Sequence, residues 1–262
     1  MKKRVDKRNS MGKMRYVIVC LCVLMGSVVY AQNLVPNPSF EIGEPKCTLI
    51  RPADADEFNE SIDYWYRPTL GSSDIYNTFS SVKCRLSVYF DYLFAFGNYG
   101  NQVPRTGNYH AALISLAHNI YVPKDSSKQR EYLQTPLIAP LEIGEIYCGE
   151  MYVSFANMRR ASNNMSMLFS TDSIYVDNKE GLLRKAQVVE KQVILDTANW
   201  VRVAGAFLAD SSYEYLALGN FDTNEETEFI MSGFGESGYN THIAYYFIDD
   251  VAVYKLDNKD EV

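Results

Sequence analysis

Zinc-type chemistry has little to draw on in this chain. Its 262 residues include three histidines and five cysteines, and no two cysteines stand at a Cys-x-x-Cys spacing. His110 and His118 are isolated from any other His or Cys at a ligand-like spacing, so both read as structural residues. Short catalytic signatures are also missing: there is no Gly-x-Ser-x-Gly elbow, no His-Glu-x-x-His and no phosphate-cradling glycine loop. That weighs lightly against an enzyme, since many hydrolases and lyases on β folds carry no short motif. Basic residues are outnumbered, 25 against 32 acidic, for a formal charge of −7. No Pro/Ser-rich linker, internal repeat or low-complexity segment divides the chain, and no stretch after residue 31 is apolar enough to cross a membrane.

What is present begins with a basic segment, 1–15, followed by an apolar run, 16–30, and a small residue, Ala31, before Gln32. This pattern predicts a secretory signal peptide over 1–31, with an uncleaved anchor as the alternative. Cys20 and Cys22 lie inside that segment, and no Cys stands at the expected cut, which disfavours a lipoprotein anchor. Seven of the 25 basic residues and one of the 32 acidic residues precede Gln32, so residues 32–262 carry 18 basic and 31 acidic groups, a net −13. Such a charge repels nucleic acid and anionic lipid and suits neutral sugars or divalent cations. It equally suits an ordinary exported protein with a hydrated acidic surface. The expected location is the periplasm, the outer-membrane surface or the medium.

The remaining 231 residues suffice for one core. Strands are expected at Asp74–Phe79, Tyr109–Ser115, Glu131–Thr135, Ile146–Ala156, Met165–Ser170, Gln187–Leu195, Trp200–Leu208, Tyr213–Phe221 and Tyr245–Tyr254. Ile146–Ala156 has the clearest alternation, with Tyr147, Gly149, Met151, Val153 and Phe155 on one face and Cys148, Glu150, Tyr152 and Ser154 on the other. Loops are expected at 42–62, 158–164, 177–183 and 222–240. Trp65 and Trp200 read as core residues, Cys148 as a small buried hydrophobe, and Arg130 with Glu131 as an ion pair bracing an edge strand. Many short strands without a long amphipathic helix indicate an all-β fold, a single-domain jelly-roll β-sandwich spanning 32–262.

Alternation in the closing strand places Phe247, Asp249, Val251 and Val253 on one face, apolar apart from one carboxylate. A buried carboxylate needs a cation or several donors. The opening stretch Asn33–Glu41 is the expected neighbour, with Glu41 and Asp249 sharing a cation, calcium. Ligand contact is expected from the aromatic stretch 86–102, where Tyr89, Tyr92 and Tyr99 stand beside Asn98, Asn101 and Gln102, whose amides bond sugar hydroxyls in both directions. Packing within the protein is the competing role for these rings. Tyr239, with Asn240 and His242, marks a second place for a ligand.

The opening Asn-Leu-Val-Pro-Asn-Pro-Ser-Phe-Glu (33–41) and the closing Tyr-Phe-Ile-Asp-Asp-Val (246–251) resemble the two ends of carbohydrate-binding modules with a galactose-binding-like jelly roll. With Asn98, Gly100 and Gln102, Arg130–Gln134 and Leu218–Phe221, the chain is similar to a module at the front of outer-membrane and surface proteins of one group of Gram-negative bacteria. The resemblance implies a structural calcium ion near the termini and a disulfide between Cys47 and Cys84. Separately, Asp172-Ser173-Ile174 and Asp196-Thr197-Ala198 resemble the acceptor triplet for O-glycosylation in the same bacterial group. In the resembling proteins a peptidoglycan-binding domain follows, whereas this chain stops at Val262.

Three functions stand against one another. The first is an exported, non-catalytic glycan-binding module. The second is a structural or assembly component of the cell envelope, with a protein or peptidoglycan-associated partner. The third is a polysaccharide hydrolase or lyase, which requires two carboxylates facing one another across a cleft.

Overall fold

The computed structural model describes residues 32–43, 55–77, 102–117, 130–178, 181–234 and 242–257. Among them, alternating β-branched and aromatic residues form eleven strands: β1 (Asp74–Asn77), β2 (Tyr109–Ala117), β3 (Leu133–Pro136), β4 (Ile146–Phe155), β5 (Arg160–Ser162), β6 (Met165–Ser170), β7 (Val188–Glu190), β8 (Val201–Leu208), β9 (Tyr215–Gly219), β10 (Phe229–Met231) and β11 (Ile243–Lys255). They pair into a five-stranded sheet in the order β1-β2-β11-β4-β8, a four-stranded sheet β3-β9-β6-β7 and a ribbon β10-β5. Every pairing is antiparallel.

The two larger sheets pack face to face as a jelly-roll β-sandwich. Their contact fixes which side of each strand is inner. A Cβ on Gly149 would meet the Met167 sulfur at 3.1 Å, and one on Gly205 would meet Val188 at 3.2 Å, so both positions sit where the sheets approach most closely. The Phe169 and Phe207 rings bridge the sheets at 4.4 Å between centroids. Tyr147, Met151, Val153 and Phe155 share the Gly149 side, and all four are buried, as the β4 alternation predicts. A smaller cluster, Tyr132, Leu168, Ile174, Leu182, Ala217 and Phe221, lies apart from this core.

The expected opening and closing stretches do lie side by side. Leu34 N–H donates to Val253 O at 2.7 Å, and Val251 N–H donates to Pro38 O at 2.8 Å. The side chain of Asn33 repeats the pattern, donating to Val251 O at 3.1 Å and accepting from Val253 N–H at 3.0 Å. Residues 33–38 thus flank the last part of β11, beyond the point where β2 has left it.

Several local expectations differ from what is seen. The 42–62 loop contains a short helix, α1 (Ala55–Ser61), because Phe58 and Ile62, four residues apart, are both fully buried. Strands β5 and β10 fall in segments expected as loops, and the strand expected over 187–195 shortens to Val188–Glu190. Trp65 is buried and donates its indole N–H to Asn37 O at 2.7 Å. Trp200, by contrast, is only half-buried. Arg130 and Glu131 are both buried but turn to different partners: Arg130 to the carbonyls of Asn220 and Asp222, Glu131 to Ser72 and the Ile114 amide. Cys148 is a buried free thiol. Cys47 and Cys84 lie outside the described residues.

One irregularity in β11 positions everything that follows. Asp249 pairs with Tyr152 and Ala252 with Glu150, three residues against two, so β11 carries a bulge. Asp250 stands in it with φ of 47°, a conformation that Asp tolerates better than most residues. The extra residue reverses the alternation. Phe247 and Asp249 lie on the outer face, whereas Val251 and Val253 return to the inner face with Tyr246 and Ile248. Alternation alone had put Phe247, Asp249, Val251 and Val253 together.

Candidate functional site

The two carboxylates expected at one corner, Glu41 and Asp249, bind the two ends of one turn, 105–109. Asp249 Oδ2 accepts from the backbone amides of Arg105 (2.7 Å) and Thr106 (3.3 Å), and its Oδ1 accepts from Asp250 N–H at 2.7 Å. Glu41 Oε1 accepts from the amides of Asn108 (2.7 Å) and Tyr109 (2.8 Å). Gly107 sits between them with φ of 64°, and a Cβ there would fall 2.3 Å from the Glu41 carboxyl carbon. Only glycine fits this position without displacement. Asp250 completes the corner by accepting from the Ser39 and Thr106 hydroxyls and from the Arg105 guanidinium.

Burial pushes the Asp249 carboxyl up to about 7, aided by the adjacent negative Asp250 and opposed by the three amide donors. Burial acts the same way on Asp250, but the Ser39 and Thr106 hydroxyls and Arg105 outweigh it and hold Asp250 below the usual carboxylate range. Calcium takes six to eight oxygen ligands. Here the carboxylate oxygens of Glu41, Asp249 and Asp250 accept from N–H, O–H and guanidinium donors of the protein itself.

Beside this corner, on the outer face of the five-stranded sheet, lies a cleft of about 270 Å³. The opening segment supplies Asn33, Pro38 and Ser39, the turn supplies Arg105, β4 supplies Glu150 and Tyr152, and the β11 bulge supplies Asp250, Val251 and Ala252. Arg105 lies over the Tyr152 ring, its Cζ 3.5 Å from the ring centre. Glu150 is held by Arg202, which reaches its Oε2 through Nη2 at 2.6 Å and Nε at 2.9 Å. Much of the cleft's bonding capacity is unspent. Among the described residues, the Tyr152 hydroxyl, Glu150 Oε1, and Arg105 Nε and Nη2 make no hydrogen bond. These are donors and acceptors of the kind that bind hydroxyl groups.

Of the sequence-predicted ligand residues, Gln102 is half-buried. It stands three residues before Arg105, and the carbonyl of the intervening Val103 accepts from the Trp200 indole at 3.1 Å. Tyr89, Tyr92, Asn98, Tyr99, Asn101 and Tyr239 lie outside the described residues, as do His118 and Asn240. His110 is structural. It is 3% exposed, stacked on Tyr76 at 5.1 Å and edge-on to Phe247 and Trp200. Sequence reasoning missed Arg105, Glu150, Tyr152 and Asp250 as a set. The β4 alternation had already placed Glu150 and Tyr152 on one polar face, which was the available signal, whereas the bulge that brings Asp250 to them has no sequence signature.

The two carboxylates that line the cleft, Glu150 and Asp250, are each paired with an arginine. Asp249, the one carboxyl here shifted upwards, is spent on backbone amides and does not line it.

No family model matches the chain, and no curated protein matches it. Among solved structures, the chain is similar to the CBM22-1 xylan-binding domain from Paenibacillus barcinonensis Xyn10C, at 10% identity and TM-score 0.39, covering 87% of this chain and 97% of that one. A cyclase from Fischerella sp. TAU is similar at 10% identity and TM-score 0.45, covering 86% and 98%. TmCBM61, solved with beta-1,4-galactotriose, is similar at 10% identity and TM-score 0.34, covering 86% and 100%.

Proposed function

We propose that the protein is an exported, non-catalytic module that binds neutral glycan in the corner cleft. One observation carries the reading: the cleft presents a phenol, a carboxylate oxygen and two guanidinium donors, all unspent, around a single aromatic side chain. Its two carboxylates are each offset by an arginine, Asp250 by Arg105 in the lining and Glu150 by Arg202 beside it, which favours an uncharged ligand rich in hydroxyls over an anion. Export rests on the basic-then-apolar start of the sequence. Among the described residues no helix is long and apolar enough to cross a membrane. Calorimetric titration of residues 32–262 with neutral oligosaccharides tests the reading. Saturable heat is expected, and its absence for every sugar at millimolar concentration rejects glycan binding.

A protein partner in the cell envelope is the second reading, favoured by a different observation. Phe229, Ile230, Met231 and Phe234 are 41, 41, 52 and 42% exposed, a row of large apolar side chains on and just after β10. Replacing Phe229 and Met231 by Ser should release the protein from isolated envelopes if this row holds it there. Undiminished retention counts against the second reading.

A further inference from the structure

We infer that the cleft takes the end unit of a glycan chain, one sugar ring, and does not admit an internal stretch of polysaccharide. This rests on the glycan reading above and narrows it.

The first argument is size. The cleft's volume of about 270 Å³ falls below the roughly 300–1,000 Å³ of sites that hold drug-sized ligands, so it suits one ring better than several. The second argument is closure. The turn that carries Arg105 stands at one end, and it is fastened at both of its own ends. Asp249 holds the amides of Arg105 and Thr106, and Glu41 holds those of Asn108 and Tyr109. A third tie runs from the Thr106 hydroxyl to Asp250. A chain threading through would have to lift this turn and take two of its three amide donors from Asp249, which is fully buried.

The flanks are fixed as well. Residues 33–38 are bonded to β11 along one side, and Arg202 holds Glu150 on the other. Between them Ala252, small and cross-strand from Glu150, leaves room on the sheet face. A terminal ring entering from the open side meets the unspent Nε and Nη2 of Arg105, the Tyr152 hydroxyl and Glu150 Oε1 around one residue-sized space. The acids expected to share a cation act here as anchors of the stop that closes the site.

The test is calorimetric titration of residues 32–262 with the α-1,4 glucose ladder from maltose to maltohexaose, the cyclic α-1,4 hexamer, and the β-1,4 ladder from cellobiose to cellohexaose. For a ladder that binds, the affinity per chain should stay within about threefold from two units to six, since added units make no contact worth the 1.4 kcal/mol of a tenfold change. The cyclic hexamer, which has no end, should not bind. An affinity rising about tenfold or more with length, or binding of the ring, overturns the end-unit inference and leaves glycan binding standing. No binding by either ladder overturns the inference, and extending that silence to every sugar in the wider panel overturns the glycan reading too. Tyr152→Ala and Glu150→Gln should each weaken binding about tenfold. If both bind as the parent does, the site is elsewhere and the inference falls.

Discussion

His110 and Asp249 are buried titratable residues of the same sheet, and burial moves them in opposite directions. For His110 it lowers the imidazole to about 3, below its ordinary 6.5. The folded chain therefore excludes a proton that the unfolded chain binds, and the stability tied to the neutral ring is present above pH 6.5 and lost as pH falls towards 3. Asp249 has the reverse sign. Its carboxyl is raised to about 7, so the stability tied to its protonated form is present below pH 3.8 and lost as pH rises through 7. Between about pH 4 and 6.5 the two slopes oppose, each at most about 1.4 kcal/mol per pH unit. Denaturant unfolding of His110→Gln across this range should show less loss on acidification than the parent does. An unchanged pH profile would mean that His110 titrates alike in the folded and unfolded chain. Gly107 supports a second residue-scale prediction. Gly107→Ala places a methyl group against the Glu41 carboxylate at a positive φ and should cost about 1–3 kcal/mol, read as a lower denaturation midpoint.

At the scale of elements, β11 joins the molecule together, pairing with β2 and β4 in its own sheet and with the opening segment. It also reaches β5 through one hydroxyl. Tyr246 OH accepts from Ser162 N–H at 2.9 Å and lies 2.8 Å from Ser162 O and 3.0 Å from Ile194 O, in a fully buried position. Tyr246→Phe removes the partner of a buried amide and should destabilise by about 1–3 kcal/mol. A loss below about 0.5 kcal/mol would show that water replaces the hydroxyl. Much of this architecture was legible beforehand. The alternation in β4 and the apolar character of β6, β8 and β11 mark strands wherever one face meets a core, and the paired Asn33 and Val253 ends follow from the two terminal motifs. The β11 bulge was not legible, because one added residue changes every facing assignment after it without altering composition. Strands β5 and β10 were missed for a related reason: three residues are too few for a period to emerge, and β10 is exposed throughout. Of the site, Glu41 and Asp249 could be found as acids needing partners, but the partners are backbone amides, which no side-chain pattern announces.

At the scale of the whole molecule, the chain ends close one sandwich, and the acids at their junction are met by a turn of the protein itself. Removing divalent cations should therefore leave Tm unchanged, since an ion that binds only the folded state would otherwise contribute to it. A fall in Tm on adding chelator would show that a cation does occupy this corner. The junction also creates the cleft, because the opening segment, the 105–109 turn and the β11 bulge border the same patch of sheet. The most direct test of this account is calorimetric titration of residues 32–262 and their Tyr152→Ala variant with one panel of neutral oligosaccharides. The account predicts saturable binding by the parent chain and a loss of about tenfold or more in the variant, with Tm retained. No binding by the parent chain, or equal binding by the variant, contradicts it.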